Sequence, residues 1–118
     1  MIATQARLTY VDALRFAAVD MGMVGLDGTI MPGFVAFARG EILLAKQVRA
    51  SALFLLNSPG GELGESMGLY DLLRGESASG HPVEIYVMGV AHSAAAMIVL
   101  QAADKRVSFP HASFMLHE

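Results

Sequence analysis

The chain has 118 residues, 54% of them hydrophobic and 16% charged, with no cysteine and a formal net charge of −3. That length suits one domain with one core. The absence of cysteine excludes disulfides and thiolate metal sites, and an acidic balance without a Lys/Arg cluster leaves no electrostatic footprint for nucleic acid. The apolar excess fits a buried parallel sheet flanked by helices, or a subunit that covers more surface on assembly.

In chain order, "MIATQARLTY" lacks the charged n-region and apolar h-region of a secretory signal. The overlapping "RLTYVDALRF" reads either as a strand pair or as a helix. "GMVGLDGTI" (22–30) predicts a strand closing in a turn at Asp27-Gly28. Pro32 and Gly33 then lead into a predicted helix, "FVAFARGEILLAKQV" (34–48). "SALFLLN" (51–57) is a near-continuous apolar run of strand length, as expected for a strand covered on both faces. After "SPGG", Leu63, Met67, Tyr70 and Leu73 recur at helical spacing, with Glu62 and Glu65 in the first turn and Arg74 in the last.

"GESASGHP" then predicts a surface loop, "VEIYVMG" (83–89) a second buried strand and "AAAMIVLQAAD" (94–104) a further helix. "KRVSF" and "ASFMLH" predict two short strands separated by Pro110-His111. Residues 85–103 carry no Asp, Glu, Lys or Arg and reach the minimum length of a membrane span. Gly89, His92 and Ser93 interrupt them, however, and their first part patterns as a strand, so the expectation is a cytoplasmic protein without a membrane segment. The alternation β-α-β-α-β-α-β-β predicts a single α/β domain over residues 1–118, with a mostly parallel sheet. Both glycine-rich breaks fall at the carboxyl ends of strands, the edge where open α/β sheets place ligands.

Three features at that edge bear chemistry, and each has a plainer alternative. "NSPGG" joins a strand to a helix start; its amides suit an oxyanion, or it is an ordinary Ser/Pro/Gly turn. It lacks the GKS/GKT ending of a phosphate-binding loop. Ser93 sits on a strand–turn–helix elbow with the Ala94 amide beside it, as a nucleophile or as a helix N-cap. Small residues (Ala91, Ala94, Ala95, Ala96) leave room around the hydroxyl. His117 ends the last predicted strand on the face shared with Ser113 and Met115, as a general base or as a structural histidine. His81, His92, His111 and His117 lack HExxH-type spacing, so no metal or other cofactor is expected.

Taken in order, "LFLLNSPGGELGESMGLYDLL" and "IYVMGVAHSAAAMIVLQAADKRVSFPHASFMLH" resemble the proteolytic subunit of the Clp protease, ClpP, and the ClpP-like proteases of phage head maturation. The family's N-S-P-G-G turn, G-x-A-x-S elbow and P-x-x-x-x-M-[IL]-H ending match residues 57–61, 89–93 and 110–117. The resemblance extends from about Gly22 to the last residue and is poor over the first twenty. It implies a ClpP/crotonase-like fold, Ser93 as nucleophile, His117 as general base, and the amides of Gly61 and Ala94 as oxyanion hole. It also implies peptide hydrolysis through an acyl-enzyme, assembly of the subunit into a ring-type homo-oligomer, and an AAA+ unfoldase or phage capsid proteins as partners. Signal peptide peptidase A-like proteases share the S-P-G-G turn but use a lysine base; crotonase-type acyl-CoA enzymes need no serine.

Two departures from the pattern matter. Clp-like subunits continue past the histidine with a triad acid and a helix–strand handle, whereas this chain stops at Glu118. The expectation is therefore a C-terminally truncated, N-terminal fragment that is weakly active or inactive, since losing the triad acid costs about 10⁴ in turnover. The alternative is a non-catalytic ClpP-like or crotonase-like subunit with a structural or acyl-binding role. His92 also replaces the usual small residue; its side chain is expected to diverge from Ser93 and to line a groove or make a structural hydrogen bond.

Overall fold

The computed structural model describes residues 22–116; the amino-terminal stretch read as a strand pair or helix, and His117, lie outside them. Among the described residues five strands form one sheet: β1 (Met23–Asp27), β2 (Ala52–Ser58), β3 (Val83–His92), β4 (Lys105–Ser108) and β5 (Ser113–Met115). Every pairing is parallel, in the order β1-β2-β3-β4, with β5 added beside the far end of β3. Helix α1 (Phe34–Ala45) connects β1 to β2, and α2 (Leu63–Ala78) connects β2 to β3. A π-helical turn (Ala95–Val99) running into a 3₁₀ turn (Leu100–Ala102) connects β3 to β4. Because the strand order advances in one direction, crossovers of one hand stack these helices side by side. Accordingly α1 packs on α2, and α2 on the helical turns.

The period-two pattern explains where the core lies. Val24, Leu26, Phe54, Leu56, Val83, Ile85 and Val87 are buried and stand in register across β1, β2 and β3. Each such side chain contributes about 1.5–3 kcal/mol by burial. The alternate residues Met23, Leu55, Glu84 and Tyr86 are only half-buried, so complete cover on both faces is confined to the start of β2.

The helical stripe of α2 differs from the expected one. Leu63 and Met67 are 61% and 54% exposed, and the buried residues are Ser66, Leu69 and Leu73. Small side chains decide this: Gly68 lets Val35 of α1 approach, and the buried Ser66 hydroxyl donates to the Glu62 carbonyl at 2.8 Å. The helix also runs through Gly75 into the predicted loop and stops at Ser79-Gly80, where Gly80 takes a φ of +91°. Arg74 is thus not in the last turn; it binds the Asp104 carboxylate and the Ala102 carbonyl, each at 3.0 Å. The predicted helix 94–104 is shorter, because Arg106 caps its end: the guanidinium donates to the Leu100 and Gln101 carbonyls.

At the amino-terminal edge of the sheet, charged anchors fix strand positions. Asp104 Oδ2 accepts from Val83 N at 2.8 Å. That bond, followed by bonds from Ser77 and Arg74, holds its carboxyl down at about 2. Glu76 Oε1 accepts from Lys46 Nζ and pairs with His81 Nδ1, both at 2.9 Å. At the N-terminus of α1, Glu65 Oε2 accepts from Val35 N at 2.9 Å.

Candidate active site

At the opposite edge, two loops meet. The first leaves β2 at Ser58, which is fully buried and whose hydroxyl accepts from Gly60 N at 3.1 Å, a turn that serine side chains favour. The Ile30 backbone then clips the loop on one side: Ile30 N donates to the Gly60 carbonyl at 2.8 Å, and Glu62 N donates to the Ile30 carbonyl at 2.9 Å. A Cβ at Gly61 would collide with the Ile30 backbone, and one at Gly60 would stand 2.9 Å from Ser93 Cβ. The glycine pair is what lets this loop lie directly on the segment that carries Ser93.

The second loop is built inside β3. Leu56 pairs with Val87 but Ser58 pairs with Ala91, so β3 holds two more residues than β2 over that interval. The bulge centres on Gly89, whose φ is +94° and where a Cβ would stand 2.5 Å from Asn57 Oδ1. Asn57 Oδ1 accepts from Val90 N at 3.1 Å, supplying the partner that the bulge removes from the ladder. The strand therefore continues past the predicted end at Gly89 and delivers His92 and Ser93 to the edge.

Ser93 has a φ of +56°, the sole positive value among the described residues other than glycine. Such a conformation stores about 1–3 kcal/mol and persists only where its surroundings enforce it. Here Ser93 N donates to the Met115 carbonyl at 2.7 Å, and the Ser93 carbonyl accepts from Ala96 N and Met97 N. The hydroxyl makes no helix-capping bond and no other hydrogen bond among the described residues. Ser93 is partly exposed. The amide of Ala94, the next residue, and that of Gly61, in the loop whose Gly60 touches the elbow, are likewise unengaged among the described residues.

His92 turns away to β5, its Nε2 lying 3.1 Å from Ser113 Oγ. Beside the elbow, Met67 and Tyr70 of α2 and Met97, Ile98 and Gln101 of the helical turns line an apolar groove. On the far side, Asp27 ends β1 in register with Asn57, and partial burial raises its carboxyl from its ordinary value. The structure thus brings Ser93, Ala94 and the Gly60-Gly61 loop together, while His117 is beyond the described residues. Sequence reasoning missed Asn57 as the hook of the elbow and Gly60 as the contact with it. The available signal was Gly89, since an isolated glycine in a strand pattern marks a bulge that needs a partner.

No helix among the described residues is long and apolar enough to cross a membrane. The fold is shared with known proteins. ClpP1 from Listeria monocytogenes matches 88% of this chain and 61% of its own, with a TM-score of 0.72 at 21% identity. The ClpP protease catalytic domain from Plasmodium falciparum matches 94% of this chain and 63% of its own, with a TM-score of 0.75 at 18% identity. These likenesses show the fold. In sequence, the ATP-dependent Clp protease proteolytic subunit of Chlorokybus atmophyticus is 36% identical over 66 residues, 55% of this chain and 28% of that one. The subunit of the same name from Aethionema cordifolium is 36% identical over 76 residues, 64% of this chain and 37% of that one. The chain therefore matches only about a third of the length of these relatives. The Clp protease family model matches residues 38–118, well over half the chain, and on that match the chain belongs to the Clp protease family.

Proposed function

We propose that this chain carries the nucleophile, general base and oxyanion hole of a serine endopeptidase. The observation that carries the reading is the strained Ser93 elbow, its hydroxyl unengaged and its backbone in contact with the Gly60-Gly61 loop. In the proposed reaction Ser93 Oγ attacks the scissile carbonyl carbon while His117 takes the hydroxyl proton. His117 follows Met115 by two residues, and the Met115 carbonyl is bonded to Ser93 N. The Gly61 and Ala94 amides donate to the oxyanion of the tetrahedral intermediate, where one such donor is worth about 10²–10³ in rate. Collapse breaks the C–N bond, the amine departs with the proton from His117, and water then hydrolyses the acyl-enzyme.

The substrates of this reading are peptides and unfolded proteins. The two relatives above are named ATP-dependent proteolytic subunits. By extension, a ring-type homo-oligomer supplied by an ATP-driven unfoldase is the assembly proposed for this subunit. The test is labelling with a fluorophosphonate, which reports the activated hydroxyl without needing a peptide substrate. Slow modification that disappears in Ser93→Ala is expected; modification that survives the substitution would contradict the assignment.

A further inference from the structure

Ser93 reaches the sheet edge on β3, and the strand leading to His117 is β5. Among the described residues one side-chain hydrogen bond links these two strands: His92 Nε2 to Ser113 Oγ, at 3.1 Å. The register pairs Val90 with Ser113 and His92 with Met115, so His92, Ser113 and Met115 share a face and the imidazole reaches one step back along β5. The link matters because β5 has little else. Its three residues are all exposed, with Phe114 at 46% and Met115 at 49%, so no buried side chain anchors it. Backbone pairing and the bond from Ser93 N to the Met115 carbonyl are its other ties to the elbow.

His92 is unsuited to act as the base for its own neighbour. Its Nε2 is engaged with Ser113, and Ser93 follows it through a left-handed backbone. We infer that His92 is a positioning residue: its bond to Ser113 Oγ clamps β5 onto the nucleophile elbow and so sets where the end of β5 lies relative to Ser93. The inference rests on the proposed roles of Ser93 and His117. The bond forms with either partner as donor, the hydroxyl giving its proton to a bare Nε2 or Nε2–H giving to Oγ.

The experiment is residue-resolved amide hydrogen exchange on the 118-residue chain, with fluorophosphonate labelling on the same variants. His92→Ala and Ser113→Ala should each speed exchange of the Ser93 amide about three- to tenfold, the range for one net hydrogen bond. The Leu56 and Val87 amides should not change. The double variant should exchange no faster than either single one, because both remove the same bond. His92→Gln, which keeps a donor at that reach, should restore the wild-type rate, and Ser93 labelling should follow the same order. Unchanged exchange at Ser93 in both single variants, or additive effects in the double variant, would overturn the clamp. So would labelling abolished by His92→Ala but spared by His117→Ala, which would make His92 the base. Labelling that persists in Ser93→Ala would instead defeat the proposed function, and exchange would still decide the clamp by itself.

Discussion

The two halves of β3 are built for different ends. From Val83 to Val87 the strand lies between β2 and β4, with Val83, Ile85 and Val87 buried and Asp104 binding its first amide. From Val90 to His92 it has slipped two residues past β2, and its other neighbour is the exposed β5. The first half is held by apolar area and charge-assisted anchors; the second by glycine, a side-chain amide and a strained serine. The difference teaches that stability and aim are separated along one strand. The half that positions the hydroxyl contributes little to the core, and so it can adopt a backbone that a core strand would not tolerate.

Substitutions in or against the two halves should therefore fail in different ways. The largest stability loss is expected against the first half, at Phe54 of β2, fully buried and in register with Ile85. Phe54→Ala should cost about 3–5 kcal/mol in urea unfolding. A loss under 1 kcal/mol would show that the first half is not the core. Gly89→Val should cost less, about 1–3 kcal/mol for a β-branched residue at positive φ against Asn57. It should nevertheless slow Ser93 labelling more than tenfold; equal effects on labelling and stability would erase the contrast.

Asn57→Ala removes one hydrogen bond to Val90 N and should cost about 1 kcal/mol, with local exchange rising at Val90. No rise there would remove the hook from the elbow. The smallest effect belongs to Asp104, whose carboxyl is held at about 2 against an ordinary 3.8. A depressed acid stabilises the fold fully above its unfolded value and loses that contribution as pH falls through the folded one. The melting temperature of Asp104→Asn should thus lie below wild type at pH 5 and converge with it near pH 2. A gap that stays constant across that window would refute the linkage.

How much of this was legible in the sequence depends on the kind of signal. The strands and their parallel order follow from apolar runs such as "LFLL" and "VEIYV", because burial leaves a strong period. The edge carrying Ser93 and Gly61 follows from where the glycines interrupt those runs. Less visible was which face of α2 turns inward, since Ser66 and Gly68 pack by being small and carry no hydrophobic signature. The extent of α2 was also hidden, because Gly75 looks like a stop and is tolerated inside a helix that ends at Gly80. The bonds between Val90 and Asn57 and between His92 and Ser113 join residues 33 and 21 positions apart, and no local pattern encodes such pairs.

The central claim is that Ser93 is the nucleophile and His117 its base. The most direct measurement maps the fluorophosphonate adduct by mass spectrometry on wild type, Ser93→Ala and His117→Ala. The expected result is an adduct that forms slowly, sits on Ser93 and is at least tenfold slower to form in His117→Ala. An adduct on another residue, or a His117→Ala rate equal to wild type, would contradict it.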